Sequence, residues 1–299
     1  PYGGEEWWPL GLCLVVALGF IAVSVELSHR RDYGAGLIAP GKGPAQAAAS
    51  LRNPIGLAVR LQRGVVLWWA AGLLLMAGAS GFLVSSIEDF VSDNQAVEDI
   101  IVKSGGATLS DSFLGTILLF CALGAAGAAV QIALRLRTEE TGARAEVILA
   151  TPVSRRRWVG SHTCVALVGS ALGLAAAGLG LGATAAVALG DADTLPRTVV
   201  AALAYLPAVW LLVGIVLALY GLSPRWVGLA WGVWGFWMVL AVFGSLLAPP
   251  ALVLDLSPFE HTPLVPAQAA GFGPLAGILL VAAVLGGIGF LGALHRDIG

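Results

Sequence analysis

Residues 198–221 read TVVAALAYLPAVWLLVGIVLALYG, an apolar run without one charged side chain. A bilayer core about 30 Å thick is crossed by roughly 20 helical residues rising 1.5 Å each, so this run can cross it. Outward from it, runs of the same quality lie at 10–28, 65–86, 113–134, 159–189, 226–248 and 272–294. Lipid offers no water to a bare backbone, so each run is expected to be a helix. The residue-by-residue alternation of a membrane β-barrel is absent. Only 11% of the 299 residues are charged and 58% are hydrophobic, against about 25% charged in soluble domains. The expected fold is therefore all-α and polytopic, with about seven transmembrane helices, and not that of a soluble enzyme.

The connections alternate in charge. After the first run come His29, Arg30, Arg31, Lys42, Arg52, Arg60 and Arg63 against Asp32 alone. After the second come Glu88, Asp89, Asp93, Glu98, Asp99 and Asp111 against Lys103. The third connection carries Arg135, Arg137, Arg144, Arg155, Arg156 and Arg157, and the fourth Asp191 and Asp193 with Arg197. Arg225 follows the fifth run, Asp255 and Glu260 the sixth, and His295 and Arg296 the last. Because cytoplasmic loops collect Lys and Arg, the start is expected outside and the C-terminus in the cytoplasm. Trp7 and Trp8 then mark the outer interface, and Trp68, Trp69, Trp158 and Trp226 the inner one. Gly169 with Gly173, Gly178 with Gly182, and Gly124 near Gly127 would let helices approach closely. Simple abundance of glycine, 40 residues, is the alternative. Cys13, Cys121 and Cys164 lie singly in apolar runs and read as small hydrophobes, with no metal spacing.

Residues 32–50, DYGAGLIAPGKGPAQAAAS, are too rich in Gly and Pro for a continuous helix and read as a cytoplasmic linker. One run precedes it and six follow. The expected protein thus has two six-helix halves, with 1–31 holding the last helix of one and 51–299 all of the other. The stretch Glu5-Glu6-Trp7-Trp8 has neither the basic start nor the cleavage site of a signal peptide, and an upstream part is expected. In 51–63 apolar residues alternate with Arg52, Arg60 and Arg63, predicting a short amphipathic elbow helix in the inner interface, before the chain turns into the membrane.

The loop 135–158 reads RLRTEETGARAEVILATPVSRRRW. Thr138 is expected to cap a helix with Glu139 and Glu140 in its first turn, Glu140 pairing with Arg144 four residues on. Thr151-Pro152 should stop that helix, and Ser154 should cap the next, which carries Arg155, Arg156, Arg157 and Trp158 into the membrane. Val147, Ile148 and Leu149 supply an apolar stripe. A solvated, inside-positive loop is one reading. The two glutamates are not needed for topology, which favours a docking site.

The strings EETGARAEVILATPVSRRRWVGSH (139–162), RRDYGAGLIAP (30–40), LRNPIGLAVRLQRG (51–64) and LDLSPFEHTPLVP (254–266) resemble the permeases of ATP-binding-cassette (ABC) exporters of the polyketide-antibiotic, tetronasin type. The likeness covers nearly the whole chain, as the C-terminal half of a two-half permease. It implies a separate ATP-binding subunit in two copies, which holds ATP and Mg. It also implies docking of that subunit on the elbow 51–63 and on the loop, through Glu139, Glu140, Arg144, Glu146, Thr151, Pro152, Arg155, Arg156 and Arg157. An outer segment, 249–271, would dip back into the membrane. The implied setting is the bacterial cytoplasmic membrane, with bilayer lipid, a lipophilic cargo and the upstream half as partners, and no nucleic acid.

The chain has no phosphate-binding GxxxxGK[ST] loop and no HExxH or GxSxG motif, so no catalytic residue, cofactor or metal is expected in it. His162 reads as a satisfied interfacial histidine. Glu26, one turn before Arg30, reads as a snorkelling ion pair. Ion-driven transporters use ionisable groups at mid-depth, and these runs lack them. That argues against a secondary transporter or channel, and a non-transporting scaffold would need no docking loop. Trp231, Trp234 and Trp237 recur every three residues, as a cargo-stacking wall or as packing, and Pro207 would kink the run opposite.

Overall fold

In the computed structural model, residues 7–29, 46, 48–86, 109–268 and 271–296 are described, the side chain of Ser245 excepted. Most of the linker 32–50, the connection 87–108 and the Arg30 end of the Glu26 pair lie outside the described residues. The chain divides into two units, Pro1–Ala47 and Ala48–Gly299. The first holds helix α1, Trp8–His29, apolar and long enough to cross a bilayer.

The second unit is a helix bundle, with no strand among the described residues. A 3-10 turn, Ala49–Arg52, leads into α2, Pro54–Gly81. Asn53 Oδ1 accepts the Ile55 N–H at 3.1 Å and Pro54 takes the first helical position, so the start is fixed by capping. No turn separates an elbow from the membrane helix, contrary to expectation. Nothing between Pro54 and Gly81 breaks a helix, and Ala58 and Gln62 are buried with Leu73 and Ala77. The basic stretch of Arg52, Arg60 and Arg63 is the exposed foot of one continuous span.

After α2 come α3 (Leu109–Ala133), α4 (Arg135–Thr141), α5 (Arg144–Leu149) and α6 (Arg155–Leu189). Next are α7 (Thr194–Leu203), α8 (Leu206–Leu222), α9 (Leu229–Leu247), α10 (Ala251–Leu254) and α11 (Phe272–His295). Among the described residues of both units, six helical stretches, α1 included, are long and apolar enough to span a membrane, and Leu229–Gly244 of α9 is a shorter apolar one. The run quoted first is broken at Ala204-Tyr205, because Pro207 lacks an N–H and its ring displaces the carbonyl four residues back.

Small residues set the spacing of the bundle. A Cβ added to Gly178 of α6 would stand 2.7 Å from Val199 Cα of α7, so only glycine permits that approach. Gly169 and Gly173 similarly receive Val66 and Leu73 of α2, and Gly124 receives Leu73. The closest crossing was not anticipated: Gly214 and Gly221 of α8 face Ala282, Gly289 and Gly292 of α11. α3 is the central helix, two-thirds buried over its most apolar window through a run of alanines from Ala122 to Ala133. Indole N–H groups are satisfied across helices, Trp234 on Leu123 O at 2.8 Å, Trp210 on Leu167 O at 3.2 Å and Trp69 on Gln131 at 2.7 Å. Trp158 is buried rather than part of an interfacial belt, packing edge-on against His162. Of the cysteines only Cys121 is buried; Cys13 and Cys164 are exposed.

Between α9 and α11 the chain folds back on the bundle. α10 spans four residues, and Leu254 at its end meets Gly244 of α9. Phe259 is buried against Tyr205 and Trp237, at ring separations of 6.4 and 6.3 Å, and Leu264 meets Gly115 of α3.

Candidate functional site

The arginine-rich end of the bundle gathers most of the sequence-derived site residues. α4 begins at Arg135 and not at Thr138, whose hydroxyl donates to Leu134 O at 3.3 Å inside the helix. The expected single helix is split at Gly142-Ala143, where Ala143 adopts φ 55°, a left-handed backbone costing an L-residue about 1–2 kcal/mol. α5 follows and ends at Leu149, before Thr151-Pro152 as anticipated. Ser154 Oγ then accepts the Arg157 N–H at 3.4 Å and caps α6.

The two glutamates face inward. Glu139 is 1% exposed and lies between Arg135, at 2.7 Å, and Arg144 Nε, at 2.8 Å. Arg144 also donates to Thr138 O at 3.2 Å, closing the C-terminal end of α4. The anticipated Glu140–Arg144 pair does not form, because the break at Gly142 swings Arg144 onto Glu139.

Glu140 instead receives Arg296, at the end of α11, as a two-pronged fork of 2.8 and 2.5 Å. Arg137 adds a contact at 3.4 Å. The Arg296 guanidinium lies 4.5 Å over the Tyr220 ring of α8, and its carbonyl accepts Arg155 Nη1 at 2.6 Å. Burial would lower the pKa of Arg296, but Glu140 beside it holds it above its ordinary value. One residue thus joins α4, α6, α8 and α11. Sequence reading took Arg296 only as an inside-positive charge. Two glutamates surplus to topology, with Arg296 just past the last apolar run, were the available signal.

Since Glu139 and Glu140 are consumed internally, they do not form a free docking pair. The outward face is made by Arg144, Glu146, Val147, Thr151, Pro152, Arg156 and Arg157, all exposed, while Arg155 is half-buried. Val147 is 71% exposed, whereas Ile148 and Leu149 turn inward, so the expected apolar stripe is divided. Just inside this layer, Gln62 Nε2 and His162 Nδ1 meet at 3.1 Å, both buried, which satisfies the histidine.

The tryptophan stripe is split too. Trp234 is fixed to α3, against Gly127, and Trp237 is buried against Phe259. Only Trp231, at 38% exposure, offers a free face, its ring edge-on to Trp234 at 5.5 Å. A separate apolar groove of about 520 Å³ runs between α6, α8 and α11, past Leu167, Trp210, Leu217 and Phe290. Among the described residues no group of His, Cys, Asp or Glu is placed to hold a metal.

A multi-pass helical bundle with a network of four ion pairs at one end has the architecture of a membrane transport permease. Residues 51–293 match the family of the C-terminal domain of the multidrug efflux system permease Rv1217c, and the chain belongs to that family. Over 300 residues it is 40% identical to the multidrug efflux system permease protein Rv1217c of Mycobacterium tuberculosis (strain ATCC 25618 / H37Rv). The match covers 100% of this chain and 55% of that relative, so the chain spans about half the relative's length.

Proposed function

We propose that this chain is the C-terminal half of the permease subunit of an ATP-driven ABC exporter that moves lipophilic compounds outward across a bacterial cytoplasmic membrane. The 40% identity to a multidrug efflux permease over the whole chain carries this reading. The finer assignment, to polyketide-antibiotic exporters of the tetronasin type, rests on the motif strings at 139–162 and 254–266. ATP and Mg belong to a separate ATP-binding subunit, two copies of which dock on the arginine-rich, cytoplasmic end. The surface offered there is Glu146, Val147, Thr151, Pro152 and Arg156 on the loop, with Arg60 and Arg63 at the foot of α2. Closure of the ATP-bound dimer pushes this loop, and the α8–α11 pair moves with it through Arg296. Cargo is a polyketide, another hydrophobic drug or a lipid.

Full-length permease co-expressed with its ATP-binding subunit should retain that subunit on purification and show cargo-stimulated ATP hydrolysis in liposomes. Val147→Asp, on the outward face, should reduce subunit retention with insertion intact. Retention and stimulation at wild-type levels in that variant would remove the loop from the docking surface.

A further inference from the structure

We propose that the foot of α2 and the start of α6 form a binding site for an anionic phospholipid of the leaflet on the arginine-rich side. Arg52, from the turn before α2, and Arg157, from the first turn of α6, line one cavity of about 590 Å³ with Asn53, Pro54, Gly160 and Ser161. Among the described residues, neither arginine has an ion-pair partner and no acidic residue lines the cavity. Of the other arginines of the loop all but Arg156 are engaged: Arg135 and Arg144 hold Glu139, Arg137 joins Arg296 on Glu140, and Arg155 holds the Arg296 carbonyl. Two uncompensated guanidiniums on different elements, flanking one hollow, suit a phosphodiester that presents several acceptor oxygens. The helix start is not the attraction, since the Ile55 N–H is already taken by Asn53.

The second observation is that the hollow continues into an apolar groove. Ile55 lines both cavities, and the groove of about 440 Å³ runs on between α2 and α6 past Val59, Val66, Cys164, Val168 and Leu172. Gly169 floors it. Its walls are open sideways, with Val59 47%, Val168 51% and Leu172 53% exposed, and Arg63 stands at its rim. A basic hollow at the end of a lipid-facing apolar groove fits the two parts of a phospholipid, headgroup and acyl chain, in their order along the membrane normal. A free anion would leave the groove unused. A neutral lipid would leave the guanidiniums unpaired.

Native mass spectrometry of the delipidated full-length permease, titrated with dioleoylphosphatidylglycerol or dioleoylphosphatidylcholine, tests this. Phosphatidylglycerol should bind in preference. Arg52→Ala with Arg157→Ala should weaken the tightest site about 30-fold, at roughly fivefold per surface cation. Arg60→Ala with Arg156→Ala, which line neither cavity, should change it less than threefold. Val168→Trp should block the groove and weaken binding with all charges kept, and this exposed position serves if the alanine pair fails to fold. Unchanged phosphatidylglycerol binding in both the alanine pair and the tryptophan variant would overturn the proposal. So would equal retention of phosphatidylcholine, displacement of the lipid by an equal concentration of inorganic phosphate, or a groove already closed by the rest of the permease, seen as no binding in the wild type. Lipid counting needs neither an ATP-binding subunit nor cargo, so its failure is separable from failure of the export reading.

Discussion

Breaking the fork between Glu140 and Arg296 is the most informative single perturbation. Both side chains are largely shielded, 11% and 18% exposed, and they make two charge-assisted bonds of 2.8 and 2.5 Å. Such bonds contribute about 1.5–3 kcal/mol each, and removing one partner leaves the other charge desolvated. Glu140→Gln should therefore cost about 2–3 kcal/mol, and Arg296→Met a little more because it also loses its place over Tyr220. The double variant should cost hardly more than either single one, giving a coupling energy of about 2 kcal/mol. Glu146→Gln, exposed on the same loop, serves as the control with no effect. Reversible unfolding of the purified full-length permease in mixed dodecylmaltoside and dodecylsulfate micelles measures all four. Additive single costs, with coupling below about 0.5 kcal/mol, would show that the fork does not hold the loop to α11, and the argument would fail there.

Three further outcomes follow from the same geometry. Glu139→Lys should prevent stable folding, because it places a third cation between Arg135 and Arg144 inside the bundle; loss of membrane-inserted protein, read by detergent extraction and gel filtration, checks it. Ala143→Gly should raise stability by about 1 kcal/mol in the same micelle assay, by relieving the left-handed backbone between α4 and α5. Gly178→Val should cost at least about 2 kcal/mol, with its Cβ 2.7 Å from Val199 Cα, while Gly72→Ala, with nothing within 4 Å, should leave yield and unfolding unchanged.

The helical spans were legible because an uninterrupted apolar run in lipid has one solution for its backbone. Pro207 and Pro152 were legible as breaks for the same reason, a missing donor. Ser154 followed from capping chemistry. The partner choices of the loop were not legible. Whether Arg144 meets Glu140 or Glu139 depends on two residues, Gly142 and Ala143, leaving the helical path, and an alanine at positive φ leaves no trace in sequence. The role of Arg296 required knowing that the end of α11 returns beside α4, a contact across more than 150 positions of chain. The elbow misled for the opposite reason. Its amphipathic pattern is real, but pattern does not say whether a helix bends before entering the bilayer.

α6 carries 35 residues without a break, from the Ser154 cap beneath the ionic layer to Gly190 at the far side. At 1.5 Å per residue it is a rod about 52 Å long, well beyond the roughly 30 Å of hydrocarbon it crosses. Its glycines are matched to neighbours at several heights, Gly169 to Val66 and Gly178 to Val199, so it pivots only as a whole. A tilt of about 5° about one end carries the other through about 4.5 Å. Such a shaft needs no relay of side chains across the bilayer: a small rotation at its foot is already a large sideways stroke at its tip.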